Sequence, residues 1–161
     1  MKNNEKLKGG CICGQVKYHL TEKPLFTQAC HCKDCKVLTG SSYVVNSSVL
    51  ENTLILKGET SSTERKAGSG APSKTYFCIK CGTYVYADYD SAVRRLTVRT
   101  KTLYNSEKFP PQVHIFTKNK DPWLNLSEDI NCFKEMYDLK KTWPEESLSR
   151  YDDYLEANLN N

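Results

Sequence analysis

Seven of the eight cysteines fall into short clusters whose spacing is typical of metal ligands. The clusters are the pair Cys11 and Cys13, the trio Cys30, Cys32 and Cys35, and the pair Cys78 and Cys81. Four thiolates close the tetrahedral coordination of a zinc ion, whereas three leave one position open. The two pairs and the trio therefore predict one closed structural site and one open site that is suited to chemistry.

The composition is that of an ordinary globular protein, with 26% charged and 39% hydrophobic residues in 161, which is enough for one domain with a core. The first ten residues are polar and lysine-rich, and no segment approaches the roughly 20 apolar residues that span a bilayer. We therefore expect a cytoplasmic protein with no membrane partner. In that compartment clustered cysteines bind metal more often than they form disulfides.

The formal net charge of +4 does not predict a nucleic-acid partner. Seven thiolates and two zinc ions would reduce it to about +1. Lysines and arginines are scattered, with no run of five or more, whereas a nucleic-acid interface needs a clustered basic face.

The residues from 10 to 122 have the pattern of many short strands. Val16, Tyr18 and Leu20 alternate with polar residues, which predicts a half-buried strand. Further strands are predicted at 25–30, 43–49, 53–57, 76–77, 83–87, 96–100 and 113–117, where β-branched and aromatic residues are enriched. The glycine-rich residues 66–72 predict a surface hairpin connection or a mobile rim.

The pattern becomes helical after Trp123. Ile130, Phe133 and Tyr137 recur at helical spacing, and Thr142 followed by proline and glutamate predicts a helix start. Leu148, Tyr151 and Leu155 then share one face of that helix. We predict a mainly β fold with a polar tail at 1–7, a zinc domain at 8–125 and a helical C-terminal extension at 126–161 that packs on the sheet and carries no chemistry.

The two pairs are expected to share one zinc ion. Cys78 and Cys81, followed by Gly82, have the form of a zinc knuckle; the alternative is a redox dithiol, which would need a strand-then-helix context. Cys11 and Cys13 point the same way in extended chain and need two further ligands, which the other pair supplies.

The trio is expected to hold a second zinc ion with a vacancy for water or a substrate atom. In extended chain Cys30 and Cys32 face away from His31, which favours His31 as a solvent-facing group or as one that contacts a ligand. His114 could fill the vacancy or line the pocket, or could be a hydrogen-bonded core histidine. Cys132 is expected to be a buried or bystander thiol, and His19 a surface group.

These motifs together resemble one known family. The quoted residues are Gly9-Gly10-Cys11-x-Cys13-Gly14-x-Val16-x-Tyr18, Cys30-His31-Cys32-x-x-Cys35, Phe77-Cys78-x-x-Cys81-Gly82-Thr83 and His114-Ile115-Phe116. In order and spacing they are similar to the glutathione-dependent formaldehyde-activating enzyme family, whose domain also occurs in centromere protein V. The resemblance implies a zinc-stapled β-tent, or Mss4-like, fold. It also implies a structural zinc on the two pairs and a catalytic zinc on the trio.

The implied activity is that of a carbon–sulfur lyase that joins a small thiol such as glutathione to formaldehyde or a related aldehyde. Zinc would deprotonate the thiol that occupies the vacancy. His31, Asp34 and His114 are the candidates to protonate the product oxygen. Arg65, Lys66 and Lys74 could meet the carboxylates of glutathione, or could be solvated surface charges.

Three alternatives remain open at this point. The chain could be a zinc-stabilised protein-binding module without catalysis, because the Mss4-like fold also serves a chaperone of small GTPases. It could be a thiol oxidoreductase that uses Cys32 and Cys35. A zinc-ribbon nucleic-acid binder is disfavoured by the scattered charge. The oligomeric state is not indicated.

Overall fold

The structure is a computed structural model that describes residues 7–67, 70–89 and 94–159, and its fold is mainly β, as predicted. The described residues form eleven strands. They are β1 Leu7–Gly10, β2 Lys17–Leu20, β3 Phe26–Cys30, β4 Val44–Leu50, β5 Leu54–Lys57, β6 Thr60–Lys66, β7 Pro72–Cys78, β8 Tyr84–Asp88, β9 Arg95–Arg99, β10 Val113–Ile115 and β11 Asn131–Cys132. A three-stranded sheet has the order β1-β2-β5, and an eight-stranded sheet has the order β11-β10-β3-β4-β9-β8-β7-β6.

The small sheet confirms the alternation predicted for the first strand. Val16, Tyr18 and Leu20 are buried, whereas Lys17 is exposed and His19 is half-buried. Strand β1 was not predicted, because it contains two glycines and little apolar surface. A Cβ on Gly9 would collide with the ring of Tyr18, so glycine is needed for the close approach of β1 to β2.

Within the large sheet β3 pairs antiparallel with β4 and parallel with β10. This arrangement places Cys30 opposite Ile115 in register. Strands β6 and β7 form a hairpin around the predicted 66–72 connection, of which residues 68 and 69 lie outside the described part of the chain. The prediction missed β6, because Thr60–Lys66 is polar and mostly exposed and so lacks apolar alternation.

The helical prediction for Ile130, Phe133 and Tyr137 is wrong. Residues Asn131–Cys132 form β11, which extends the large sheet beside β10. The backbone N–H of Phe133 donates to the carbonyl of His114 at 2.8 Å. The edge of β10 thus supplies the backbone hydrogen bonds that this segment would otherwise have formed within a helix. A short helix α1, Lys33–Thr39, was also missed in a region predicted as strands.

The C-terminal extension becomes helical later than predicted, with α2 at Leu139–Thr142 and α3 at Glu145–Leu159. The predicted helix start near Thr142 therefore lies within a few residues of the start of α3. The rings of Tyr137 and Trp143 pack against the ring of Phe26 in β3. Their centroids lie 5.5 and 5.7 Å, respectively, from the centroid of the Phe26 ring. The same core cluster includes Cys30 and Cys35, so the extension packs directly behind the cysteine trio. Among the described residues, none of the helices combines the length and the apolar character needed to cross a bilayer.

Candidate metal centres and the adjoining cavity

The structure brings the two cysteine pairs together into one cluster, called the quartet from here on. The Sγ atoms of Cys11, Cys13, Cys78 and Cys81 all lie within 4.8 Å of one another. Those of Cys11 and Cys13 are 3.5 Å apart, and those of Cys13 and Cys78 are 3.7 Å apart. Two sulfurs on a tetrahedral zinc ion, each at roughly 2.3 Å, are about 3.8 Å apart. The quartet therefore fits a closed zinc site.

Backbone and hydroxyl groups support the sulfur atoms of the quartet. The N–H of Val16 donates to Cys11 Sγ at 3.2 Å, and the Thr83 hydroxyl shares a hydrogen bond of 3.1 Å with Cys81 Sγ. The bond to Thr83 is the main reason why the pKa of Cys81 is lowered to about 5. Gly82 has a φ of 69°, the left-handed conformation expected after the knuckle. These groups favour the thiolate forms that bind metal.

The second cluster, the trio, is built at the junction of β3 and α1. Cys30 ends β3, Cys32 is the N-cap of α1 and accepts from the N–H of Cys35 at 3.4 Å, and Cys35 lies in α1. Their Sγ atoms lie within 4.8 Å of one another. Hydrogen bonds with Cys30 and Cys32 lower the pKa of Cys35 to about 3, and the charge of Arg99 adds to the effect, whereas hydrogen bonds with Cys32 and Cys35 raise the pKa of Cys30. The trio thus fits a metal with three thiolate ligands.

Within the described residues, no histidine or carboxylate ligand atom joins the trio. All eight cysteines are free thiols, including the exposed Cys132 on β11. The buried alternative for Cys132 is therefore wrong.

The two candidate histidines form a buried pair beside the trio. His31 Nε2 and His114 Nδ1 are 2.9 Å apart, and the ring of His31 also contacts Tyr43. His31 is completely buried, so its expected solvent-facing position is wrong. Burial lowers the pKa of both rings, that of His31 to about 4. His114 is the hydrogen-bonded core histidine of the alternative prediction.

A cavity of about 220 Å³ opens against the trio. Its wall contains residues from β3, β4, β9, β10 and the C-terminal extension. They are Gln28, Cys30, Cys32, Cys35, Asn46, Ser48, Ala67, Tyr89, Arg95, Thr97, Ile115, Phe116 and Met136. Met136 lies in the extension, so residues 126–161 contribute to the wall of the cavity, whereas their lack of a chemical role stays a prediction.

The two arginines of β9 were not predicted to be site residues. Arg95, Thr97 and Arg99 occupy alternate positions, so they share the face of the strand that points toward the cavity and the trio. The signal was present in the sequence, because an arginine stands at each end of one face of a short strand whose other residues are uncharged.

Arg99 is buried, with 3% of its surface exposed. It donates from Nη1 to Asn46 Oδ1, and its guanidinium lies 3.8 Å from the centre of the Tyr84 ring. Its Nε and Nη2 atoms have no hydrogen-bond partner within the described residues. The result is a buried positive charge next to a cluster of thiols.

The other predicted site residues are not part of the cavity wall. Asp34 is ion-paired with Arg65 at 2.8 Å, and Lys74 with Glu64 at 3.2 Å. Arg65, Lys66 and Lys74 line a second groove, which shares Tyr89 with the cavity. Their contact with substrate carboxylates remains a prediction.

Comparison with known proteins points to one family. The family model described as "Glutathione-dependent formaldehyde-activating enzyme" matches residues 6–119. No curated protein matches the chain. A solved structure from Rhodobacter sphaeroides, a structural-genomics target, is 22% identical with a TM-score of 0.48, and the match covers 61% of this chain and 88% of that one.

Proposed function

Since the chain belongs to the glutathione-dependent formaldehyde-activating enzyme family, we propose that it is a zinc-dependent carbon–sulfur lyase. It joins a small thiol, such as glutathione, to formaldehyde or a related small aldehyde. The observation that carries this proposal is the cavity with the trio in its wall. A cluster with three thiolates and space beside it suits a site that takes up a substrate sulfur.

The metal assignment follows from the donor sets. Cys11, Cys13, Cys78 and Cys81 would hold a structural zinc ion, and Cys30, Cys32 and Cys35 would hold a catalytic one. Zinc at the trio, when bound, supplies the Lewis acidity that converts a thiol into a thiolate at neutral pH. The residues 8–125 would form the zinc domain, with 126–161 packed on it.

The cavity residues would hold the two substrates together. Ile115, Phe116 and Met136 supply an apolar wall that excludes water, while Gln28 and Ser48 offer polar groups that can orient a small aldehyde. Holding both reactants in one small space turns a bimolecular encounter into a local one.

The reaction forms one bond between the thiol sulfur and the aldehyde carbon. The π bond of the carbonyl opens, and the proton lost by the thiol ends on the former carbonyl oxygen. Tyr89 would donate a hydrogen bond to that oxygen; in support, it lines the cavity and burial raises its pKa, which keeps the phenol protonated. Asp34, by contrast, is engaged with Arg65 outside the cavity wall.

The free state of all eight cysteines supports a reducing compartment, and we propose the cytoplasm as the place of action.

The test is to follow S-hydroxymethyl product formation by exchange NMR with glutathione and formaldehyde. We expect the zinc-loaded protein to accelerate the exchange above the uncatalysed rate. Cys32→Ser should abolish the acceleration, while the matched control Cys132→Ser, which alters the exposed cysteine of β11, should retain it. No acceleration with glutathione or with a panel of smaller thiols would favour the alternative of a non-catalytic binding module.

A further inference from the structure

We propose that Arg95 selects the thiol substrate, and that this substrate is a compact thiol acid with a short apolar linker between sulfur and carboxylate. The inference rests on the proposed function and narrows its substrate. It depends on one juxtaposition: the trio and Arg95 line the same cavity.

Arg95 differs from the three arginines that form ion pairs among the described residues. Arg65 pairs with Asp34, Arg94 with Glu51 and Arg150 with Glu22. These ion pairs leave their charges balanced within the protein.

No carboxylate of the described residues lies within ion-pair distance of Arg95. Its Nε atom is buried and has no hydrogen-bond partner there. A buried donor without an acceptor costs free energy, and a guanidinium is matched best by a carboxylate that accepts two parallel hydrogen bonds. The Arg95 guanidinium is therefore able to bind an anion that accepts its hydrogen bonds.

Two aromatic rings hold the Arg95 guanidinium in place. Its central carbon lies 5.1 Å from the ring centre of Trp143 and 5.0 Å from that of Tyr151, both in the C-terminal extension. Contacts of this kind fix a guanidinium without neutralising its charge. The extension thus positions the group that would recognise the substrate.

Arg99 is a less suitable anion anchor than Arg95. It does not line the cavity, and it is already engaged with Asn46 and the face of Tyr84. Its place beside Cys35 suits charge balance at the trio instead.

The size of the cavity limits the substrate. A volume of about 220 Å³ is smaller than the roughly 300–1,000 Å³ of pockets that enclose drug-sized ligands. A whole tripeptide would extend out of it, whereas a thiol acid with two or three carbons would be enclosed. Ile115, Phe116 and Met136 would pack against the linker.

The test uses the full chain with cobalt in place of zinc, so that a thiolate reaching the metal changes the visible absorption. The probes are 3-mercaptopropionate, its neutral analogue 2-mercaptoethanol, and glutathione. We expect 3-mercaptopropionate to bind about tenfold or more tightly than either of the others, the gain typical of a hydrogen bond to a charged group. Arg95→Met should remove the preference for 3-mercaptopropionate over 2-mercaptoethanol.

Arg94→Met is the matched control, because it makes the same change one residue away at an exposed arginine, and the preference should survive it. The wild-type titrations keep the inference falsifiable even if Arg95→Met fails to fold. Equal affinities for the acid and its neutral analogue, or tighter binding of glutathione than of the compact acid, would overturn the inference and leave the proposed function standing. An unchanged absorption with all three thiols would overturn both.

Discussion

The quartet and the trio are both cysteine clusters, but they are assembled in opposite ways. Cys13 and Cys78, whose sulfurs are 3.7 Å apart, are separated by 65 positions in the chain. The quartet thereby ties the turn after β1 to the turn after β7. The trio comes from six consecutive residues at the junction of β3 and α1. A metal at the quartet would close a long loop of the chain, whereas a metal at the trio would close only a loop of six residues.

Their surroundings differ just as clearly. Cys13 of the quartet is exposed, and four sulfurs leave a metal there no free position. Cys30 and Cys35 of the trio are buried, with a cavity and the charge of Arg99 beside them. The comparison teaches that ligand number and adjoining space, more than cysteine exposure, separate a site that stabilises the fold from one that can take a substrate.

The largest expected effect comes from breaking the quartet. Cys78→Ser should remove one metal ion per chain and reduce the free energy of unfolding by more than about 5 kcal/mol, because structural zinc contributes its binding energy to folding. Since a whole domain is stable by only about 5–15 kcal/mol, much of the variant should be unfolded. Circular dichroism and elemental analysis check this, with Cys132→Ser as the control.

Breaking the trio should separate metal loss from unfolding. Cys32→Ser should also remove one metal ion per chain, yet its melting temperature should stay within about 4 °C of wild type, which corresponds to roughly 1 kcal/mol. Differential scanning calorimetry with metal analysis gives both quantities. If Cys32→Ser unfolded as readily as Cys78→Ser, the division between the two clusters would be wrong.

Removing the charge beside the trio should weaken one centre and spare the other. Three thiolates and a divalent zinc ion carry about −1, which the Arg99 guanidinium balances. We expect Arg99→Met to reduce the affinity of the trio for zinc by roughly 10–100-fold, the usual effect of losing a group that supports metal ligands. Competition with a chromophoric chelator resolves the two centres. An equal loss at both would indicate general destabilisation instead.

The smallest effect is expected from removing the Thr83 hydroxyl, which forms a hydrogen bond with Cys81 of the quartet. The hydrogen bond with Thr83 is the main reason why the pKa of Cys81 is lowered to about 5, so the thiolate would persist as the pH falls and would keep a bound metal in mild acid. Thr83→Val should raise that pKa, and acid-driven metal release from the quartet should then occur about half a pH unit higher. Thr83→Ser retains a hydroxyl and should behave as wild type. If the pH of metal release changed at the trio and not at the quartet, the role assigned to Thr83 at the quartet would be wrong.

Much of the β core and of both cysteine clusters could be predicted from the sequence, because their signals are local. The alternation at Val16, Tyr18 and Leu20 indicates one buried face, and cysteines two or three positions apart indicate metal-ligand pairs. Strand β6 could not be found this way, because its stability comes from pairing with β7 and leaves its own residues exposed and polar.

The rest of the site depends on contacts between distant parts of the chain. His31 meets His114 across 83 positions, and β11 forms because β10 offers it an edge. Arg95 reaches the cavity through the register of β9 against β4, and Trp143 and Tyr151 then hold it. No local pattern contains those pairings, so the contacts of the extension with Arg95 and with the cavity could not be predicted.

The most direct test of the central claim, an open position on the trio, is X-ray absorption at the zinc edge of the two-zinc protein. With four sulfurs at one metal and three at the other, the average should be about 3.5 sulfurs per zinc, with an oxygen or nitrogen neighbour completing the second site. Saturation with 3-mercaptopropionate should raise the average to about 4 and remove the lighter neighbour. An average of about 4 before any thiol is added, or one that stays near 3.5 afterwards, would contradict the account.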